Sequence, residues 1–386
     1  MKKSLIAVAV ASAFIAPAAM ADVTISGAIN VGIEVGKSSA GSAPGAQSLT
    51  QTSLGATYSH VDLESVDDIG GGNKVIFHYQ MNLAGDSPGA MGNTGGITNR
   101  NSFLGIAGGW GAFKMGVNEN VYERMMYTAD PLDGAAGPAG NLNILGTPGG
   151  GFIFENNVNN CTATGCPDFY RRTQQTIWYE SPKFAGFDFE VDYTLSAFKN
   201  QNQNPQIFSI GGKWQPEGAP FYIDAAYERH NDLFGTVAIG DTVIATSTSK
   251  DTGVQVGGGW QLGDLGLHLR YEQLKYETTG GLGGDNEYKR NAYWFAVKYN
   301  LPSGYIGAEI GIADDGKLNG SDVSDTGARM FGIGYFHNLS KQSQLQFIYG
   351  RMDNKDQATY GFAGTPNGAA PGSDHDVLHV GIKHTF

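Results

Sequence analysis

The chain has 386 residues, of which 57 are glycine, and its formal net charge at pH 7 is −12. The glycines follow no Gly-X-Y period, which excludes a collagen, and 20 Phe with 18 Tyr are too many for a disordered chain. The acidic balance argues against a nucleic acid as a partner. Beyond the N-terminus no apolar run approaches the ~18 residues of a membrane helix. The chain is therefore either a soluble β-rich protein or a barrel whose apolar residues alternate with polar ones.

The N-terminus has the pattern of a secretory signal peptide. Lys2 and Lys3 supply a positive n-region, an apolar stretch covers residues 5–16, and Ala19-Met20-Ala21 is a small-x-small cleavage site. We predict that residues 1–21 are a cleaved signal peptide and that residues 22–386 form a single β-barrel domain. The protein is therefore expected to leave the cytoplasm.

Period-two alternation follows along the rest of the chain. Between Asn73 and Leu83, the apolar residues Val75, Phe77 and Tyr79 share one parity. This pattern indicates a strand with one apolar face. It recurs over 187–195, 265–272 and 344–349. A soluble β-sandwich also alternates, so the strands alone do not decide the fold.

The connections between the predicted strands fall into two classes. Seven are tight: 67–72, 108–111, 182–186, 215–220, 261–264, 301–304 and 338–341. Eight are longer and polar: 37–51, 84–99, 119–169, 199–205, 231–250, 278–288, 313–325 and 353–374. Short turns that alternate with long loops are typical of an outer-membrane barrel, and a closed barrel satisfies every backbone hydrogen bond in lipid. We predict an all-β fold, a transmembrane 16-stranded antiparallel β-barrel.

Two cysteines, Cys161 and Cys166, lie in a Gly/Asn-rich part of the longest loop. An exported chain meets an oxidising environment, so a local disulfide is expected, with a pair of free thiols as the alternative. Zinc would need two further ligands, and no His or Cys close in sequence supplies them. We expect no metal site and no cofactor.

Enzyme motifs are absent from the sequence. It contains no G-x-S-x-G, H-E-x-x-H or P-loop pattern, so no enzymatic activity is expected. Two other functions remain open alternatives. A barrel-embedded outer-membrane hydrolase could assemble its nucleophile across strands, and a surface adhesin could be a secreted β-sandwich.

Five segments resemble the trimeric general porins of Gram-negative bacteria, in the style of the betaproteobacterial and neisserial members. The C-terminal HDVLHVGIKHTF ends at Phe386 and resembles the terminal strand of that family. The other matching segments are Asp22–Gly36, Ser59–Lys74, Arg100–Gly116 and Trp178–Phe187. The resemblance implies an outer-membrane location, a homotrimer with its contact at loop 84–99, and recognition of Phe386 by the barrel-assembly machinery. It also implies that the third loop folds into the barrel and narrows a pore.

This chain departs from the family pattern at four positions that face the pore in relatives. Basic residues usual there are replaced by His60, Glu64, Val117 and Trp178. The third loop, residues 119–169, is acidic in its first part, with Glu119, Glu123, Asp130 and Asp133. Its later part, residues 134–169, is compatible either with the pore or with an exposed insertion.

We therefore predict a pore for ions and small hydrophilic solutes. Charged rings at a constriction attract one sign of ion and repel the other. The predicted constriction combines the four loop acids with bases and substituted positions of the wall: Glu119, Glu123, Asp130, Asp133, Lys74, Lys114, Arg172, Glu64, His60 and Trp178. The wall alone is nearly balanced in charge, so the acidic loop and the lost basic positions predict a weak preference for cations.

Overall fold

The structure is a computed structural model. It describes residues 23–55, 59–83, 97–132, 138–149, 152–153, 168–195, 199, 204–233, 236–239, 242–245, 248–281, 284–362, 365–366 and 370–386. Within these ranges, no helix combines the length and the apolar character needed to cross a membrane.

Sixteen antiparallel strands form one closed barrel, as predicted. In chain order they are β1 (Val23–Ser38), β2 (Leu49–Gly55 continued by His60–Gly70), β3 (Asn73–Leu83), β4 (Ile97–Gly108), β5 (Gly111–Glu119), β6 (Arg172–Glu180), β7 (Phe187–Thr194), β8 (Gln206–Trp214), β9 (Phe221–Asn231), β10 (Thr248–Leu262), β11 (Leu265–Gly281), β12 (Gly284–Leu301), β13 (Gly304–Ala313), β14 (Ala328–Asn338), β15 (Ser343–Asn354) and β16 (His375–Thr385). Each strand pairs with the next, and β1 closes the ring by pairing with β16 over eleven residues. A closed ring has no unpaired edge, which makes it stable in lipid.

The two faces of the wall differ in polarity because successive side chains point to opposite sides of a strand. In β14, residues from Ala328 to Phe336 alternate strictly between buried and exposed, and Phe331 and Ile333 are on the exposed face. In β11, the buried positions carry Arg270 and Glu272. The wall is apolar outside and largely polar inside, which is the inverse of a soluble protein and the arrangement required by a lipid solvent.

Aromatic rings form a band on the outer surface at the end of the barrel that carries the short turns. Trp214, Phe221 and Trp260 contact one another across three strands, with centroid distances of 5.9 and 5.4 Å. Trp110 stacks on Tyr179 at 6.3 Å in the same band. Amphipathic rings are stable where hydrocarbon meets headgroups, so this band marks one membrane interface.

The seven predicted tight turns are confirmed, and one predicted loop is wrong. Strands β11 and β12 extend to Gly281 and from Gly284, so most of the segment 278–288 is hairpin rather than loop. Lys275 supports this extension with ion pairs of 3.0 Å to Glu277 and 2.8 Å to Glu287. Glu277 lies on the same strand as Lys275, whereas Glu287 lies on β12. A cross-strand pair of opposite charges favours continued pairing despite the polar, glycine-containing sequence.

Short strands decorate the end of the barrel that carries the long loops. Gly316–Leu318 and Ser321–Val323 form a small hairpin between β13 and β14. Phe152–Ile153, Thr236–Ile239 and Thr242–Ala245 form a separate three-stranded sheet. This sheet joins the third long connection to the fifth.

A hydrophobic core lies inside the barrel. It joins buried side chains of the third connection to buried side chains on one side of the wall: Tyr122, Met126, Leu132, Ile144, Leu145 and Phe169 from the connection, and Leu274, Tyr276, Trp294, Met330 and Ile348 from the wall. The third loop therefore folds inward and packs against the wall, as expected from the family resemblance.

Candidate functional site: the third loop inside the barrel

The third loop begins at an irregularity in β5. The register between β5 and β6 shifts between Gly116 and Asn118. As a result the consecutive residues Asn118 and Glu119 are both buried inside the barrel, exposed to 4% and 1%. A bulge redirects side chains in this way and bends the strand. Helix α1 (Val121–Tyr127) follows at once and packs against β7, β8 and β9.

Glycines on the inner face of the wall make room for the loop. A Cβ added at Gly307 in β13 would lie 2.8 Å from the Cβ of Pro131, and one added at Gly211 in β8 would lie 2.8 Å from Val121. Gly253, Gly311, Gly332 and Gly350 make similar close approaches to loop residues. Side chains at these positions would displace the loop, so glycine at inward positions of the wall permits its close seating.

One ion pair joins the later part of the loop to the wall. Arg290 of β12 donates a hydrogen bond of 2.8 Å to Glu272 of β11, and both residues are buried. Arg290 also donates to the carbonyl of Ile144 at 3.0 Å and to that of Thr147. Glu272 accepts hydrogen bonds from the amide of Gly146 at 2.9 Å. Because both charges are buried, each needs the other and the loop's backbone groups to offset its desolvation.

Carboxylates and guanidinium groups meet at the start of the loop. Glu119 is bonded by Arg172, so the structure brings these two predicted residues together. Arg124 bonds Glu190 of β7, and Asp192 accepts from the amide of Val121 at 3.0 Å. Around this junction Glu228 is bonded by Asn120 at 2.9 Å and by His230 at 2.7 Å. These contacts fix α1 against the wall.

Glu123 lies on the buried face of α1 within the same junction. Burial, together with the neighbouring negative charge of Glu119, raises the pKa of this carboxyl to about 8. Arg172 acts in the opposite direction. Near pH 7 the Glu123 side chain is therefore mainly protonated.

The other predicted loop acids have different surroundings. Asp130 accepts hydrogen bonds from the amides of Leu132 at 2.7 Å and Asn141 at 2.6 Å, and so fixes the shape of the loop. Asp133, together with Cys161 and Cys166, lies outside the described residues, as does the signal peptide. The part 138–149 of the loop lies inside the barrel, where Ile144 and Leu145 are fully buried.

Lys114 and Trp178 form a second group on β5 and β6. Lys114 makes an ion pair of 2.6 Å with Glu180, and its ammonium lies 4.6 Å from the ring centre of Phe103. The indole of Trp178 donates to the same carboxylate at 3.1 Å and meets Phe103 edge to face. Lys114 is thus paired with a wall acid and not with a loop acid.

The predicted residues of β2 and β3 form a third group. His60 contacts Asp62 at 3.2 Å, and Glu64 contacts His78 at 2.9 Å. Lys74 is exposed beside the turn between β2 and β3. The structure therefore does not bring these residues into contact with Glu123 of α1, the helix that packs against β7, β8 and β9.

Phe386 lies at the closing seam of the barrel. Its amide donates to the carbonyl of Gly27 and its carbonyl accepts from the amide of Gly27, both at 3.1 Å. Its ring is 45% exposed. The terminal residue thus extends the pairing between β16 and β1 and presents its ring at the surface.

The predicted constriction omits two bases that join the loop to the wall: Arg124, which bonds Glu190, and Arg290, which bonds loop carbonyls. Arg290 shares the inward parity of Tyr288 and Ala292 along β12, so its parity could have indicated an interior position. Arg124 carries no such signal, because it lies in a short helix whose direction depends on the wall. The glycine positions could have been found by the same parity rule.

A closed barrel with a loop seated in its interior defines a channel-forming outer-membrane barrel. The family model described as Gram-negative porin matches residues 7–357, so the chain belongs to this family. It is an outer-membrane porin. Its relatives are channels rather than enzymes.

Two curated relatives and one solved structure illustrate the similarity. Outer membrane porin protein 32 of Delftia acidovorans is 27% identical over 392 residues and covers 100% of both chains. Major outer membrane protein P.IB of Neisseria meningitidis serogroup B is 28% identical over 242 residues, 62% of this chain and 63% of that one. The anion-selective porin from Comamonas acidovorans shares the fold with a TM-score of 0.71 and 19% identity, over 95% of this chain and 100% of that one.

Proposed function

We propose that this porin forms a water-filled channel for the passive diffusion of ions and small hydrophilic solutes, with a weak preference for cations. The observation that carries the proposal is the seating of the third loop inside a closed barrel whose inner face is polar. A loop held there narrows the lumen without closing it to water, and the charges around the loop act on passing ions.

The sign of the preference rests on the charges beside α1. Arg124 has two carboxylates beside it, Glu190 and Asp192. Glu228 accepts hydrogen bonds from Asn120 and His230, and the Arg171 guanidinium group interacts with it electrostatically. The carboxylates of Glu119, Glu190, Asp192 and Glu228 stand beside the guanidinium groups of Arg124, Arg171 and Arg172. This small excess of carboxylates favours cations.

Two observations keep the preference weak. Glu123 is mainly protonated near pH 7, and Glu119 is paired with Arg172, so these acids contribute less than their formal charges. Lys213 and Lys298 face the interior near the short-turn end of the barrel, each over a tyrosine ring. The anion-selective porin from Comamonas acidovorans is 19% identical to this chain, so the similarity extends to the fold and not to the selectivity.

Reversal potentials in a planar bilayer under a salt gradient test the proposal. Neutralising Glu119, Glu123, Asp130 and Asp133 together should lower the cation-to-anion permeability ratio, most clearly at low salt, where screening is weakest. Asp322→Asn, in the small outer hairpin, is the control and should change the ratio little. A wild-type potential that favours chloride would show that the lysines dominate and would reverse the assigned sign.

We also propose that the chain assembles as a homotrimer in outer-membrane lipid, with contacts through the second long loop. One structural neighbour, OmpT of Vibrio cholerae, is described in a trimer form, with a TM-score of 0.59 and 12% identity over 95% of this chain and 99% of that one. Cross-linking in mild detergent should give a trimer band. Monomers alone would contradict the trimer without affecting the channel.

A further inference from the structure

A cavity of about 470 Å³ lies between α1 and the wall formed by β6, β7 and β8. Ser181 and Lys183, from the turn between β6 and β7, line one side of it. The cavity is therefore on the short-turn side of the loop. Ligand pockets in proteins begin at about 300 Å³, so this space can hold a small solute.

The charged groups of the cavity differ in how far they are already engaged. Arg124 is bonded to Glu190, and Glu180 is bonded to Lys114. Lys213 lies 4.2 Å from the ring centre of Tyr222 and makes no ion pair within 4 Å among the described residues. Asp188 is its direct cross-strand partner in β7. Lys213 and Asp188 thus place one positive and one negative group side by side on the cavity wall.

The side of the cavity formed by α1 carries aliphatic groups next to Arg124 and Thr128. Val121 and Met125 of α1 line it and approach the wall at Gly211, where an added Cβ would lie 2.8 Å from Val121 and 2.9 Å from the sulfur of Met125. A bound molecule would therefore meet a pair of opposite charges on one side and aliphatic groups on the other.

We propose that this cavity is a transient binding subsite for zwitterionic amino acids with a small aliphatic side chain. The carboxylate of the solute binds Lys213, its ammonium group binds Asp188, and its side chain packs against Val121 and Met125. An ion of single charge would gain attraction from one of the two groups and repulsion from the other, and a neutral sugar would gain neither. The inference rests on the proposed channel function, because the solute reaches the cavity through the pore.

Flux of radiolabelled L-valine into proteoliposomes tests the subsite, with L-arabinose as the neutral comparison. Valine flux through the wild type should saturate with concentration, while arabinose flux should rise linearly. Lys213→Met and Asp188→Asn should each raise the half-saturating valine concentration about tenfold, since each removes one charge-assisted contact. The double variant Lys317→Met/Asp322→Asn removes an exposed pair of 3.2 Å outside the barrel wall and should leave saturation unchanged.

Arabinose flux separates the two proposals. If arabinose enters at the wild-type rate through all variants, the barrels are folded and open, and the valine results report on the subsite alone. Linear valine flux through the wild type, or unchanged saturation in the Lys213 and Asp188 variants, would overturn the subsite. Absence of arabinose flux through the wild type would instead overturn the channel function.

Discussion

The barrel wall and the third loop are two regions of one interior that are stabilised in different ways. The wall repeats one unit, a strand paired with its neighbour, with Phe331 and Ile333 toward lipid and Met330 inward. The loop repeats nothing. It is held by a bulge at Gly116, by the Arg290–Glu272 pair and by close approach to wall glycines. The wall is stabilised by contact of its apolar outer face with lipid and by backbone hydrogen bonds between neighbouring strands. The loop is stabilised by individual tertiary contacts.

The difference predicts how each region fails. A substitution that disrupts the wall should prevent the whole barrel from assembling, because the ring closes only when every strand pairs with both of its neighbours. Damage to a loop contact should leave the barrel intact and change the lumen. Four predictions separate these outcomes, beginning with the largest expected effect.

Removing Phe386, or changing it to Asp, should block outer-membrane assembly. The deletion removes the hydrogen bonds to Gly27 at the closing seam. The Asp variant places a charge on the outer surface near the interface, which by itself lowers the stability by at most ~1 kcal/mol. Loss of assembly would therefore reflect failed recognition and not simple destabilisation. Surface amounts of heat-modifiable protein measure the effect, and Phe386→Tyr should assemble normally. An undiminished amount of the Asp variant would refute the prediction.

Arg290→Met should release the loop without opening the barrel. The substitution leaves the buried carboxylate of Glu272 without its cationic partner, which destabilises the folded loop by about 3–5 kcal/mol. Limited proteolysis with mass spectrometry should then detect new cleavage between residues 119 and 171. Adding Glu272→Gln should restore part of the protection, because the uncompensated charge is removed.

Arg351→Met is the matched control for that variant. Arg351 also pairs with carboxylates, at 2.7 Å to Asp353 and 3.2 Å to Asp376, but its side chain is 43% exposed. Ion pairs that are exposed to water contribute about 0–1 kcal/mol to the stability of the folded protein. Cleavage of the loop in this control equal to that in the Arg290 variant would show that the buried pair has no special role.

Gly307→Ala should reduce single-channel conductance. The added methyl group would lie 2.8 Å from the Cβ and carbonyl oxygen of Pro131, and overpacking of this kind costs about 1–3 kcal/mol. The loop can relieve the contact by moving from the wall toward the lumen. Gly109→Ala, whose added methyl meets no atom within 4 Å, should leave conductance unchanged. Equal conductance in both variants would mean that the loop is not seated against β13.

Raising the pH from about 7 to about 9 should increase the cation preference slightly. Glu123 ionises through its pKa of about 8 and adds a negative charge beside the lumen. Because this pKa lies above the ordinary value of 4.5, the stability that the protonated carboxyl gives the folded loop is lost as the pH rises from about 4.5 to about 8. Reversal potentials at the two pH values should differ in the wild type and agree in Glu123→Gln. A shift of the same size in that variant would assign the effect to another group.

Much of the wall could be predicted from the sequence because its rules are local. Alternation over residues 73–83, the tight turn at 301–304 and the terminal aromatic each depend on neighbours in the chain. The same period-two parity assigns Asp192, Glu228 and Glu272 to the inner face, where all three are buried. The error at 278–288 arose where cross-strand charge pairs continued a hairpin through a sequence that has the composition of a loop.

What only the tertiary structure decided is the detail of the lumen. Glu119 and Arg172 are distant in sequence, yet they meet because a bulge turns Glu119 inward, whereas Lys114 pairs with Glu180. The contact between Arg290 and the loop carbonyls depends on where an aperiodic segment comes to rest. A strand's inner and outer faces follow from a repeat of two residues and from the solvent on each side. The position of a loop follows from shape and charge complementarity between residues that are distant in the chain, which no local pattern contains.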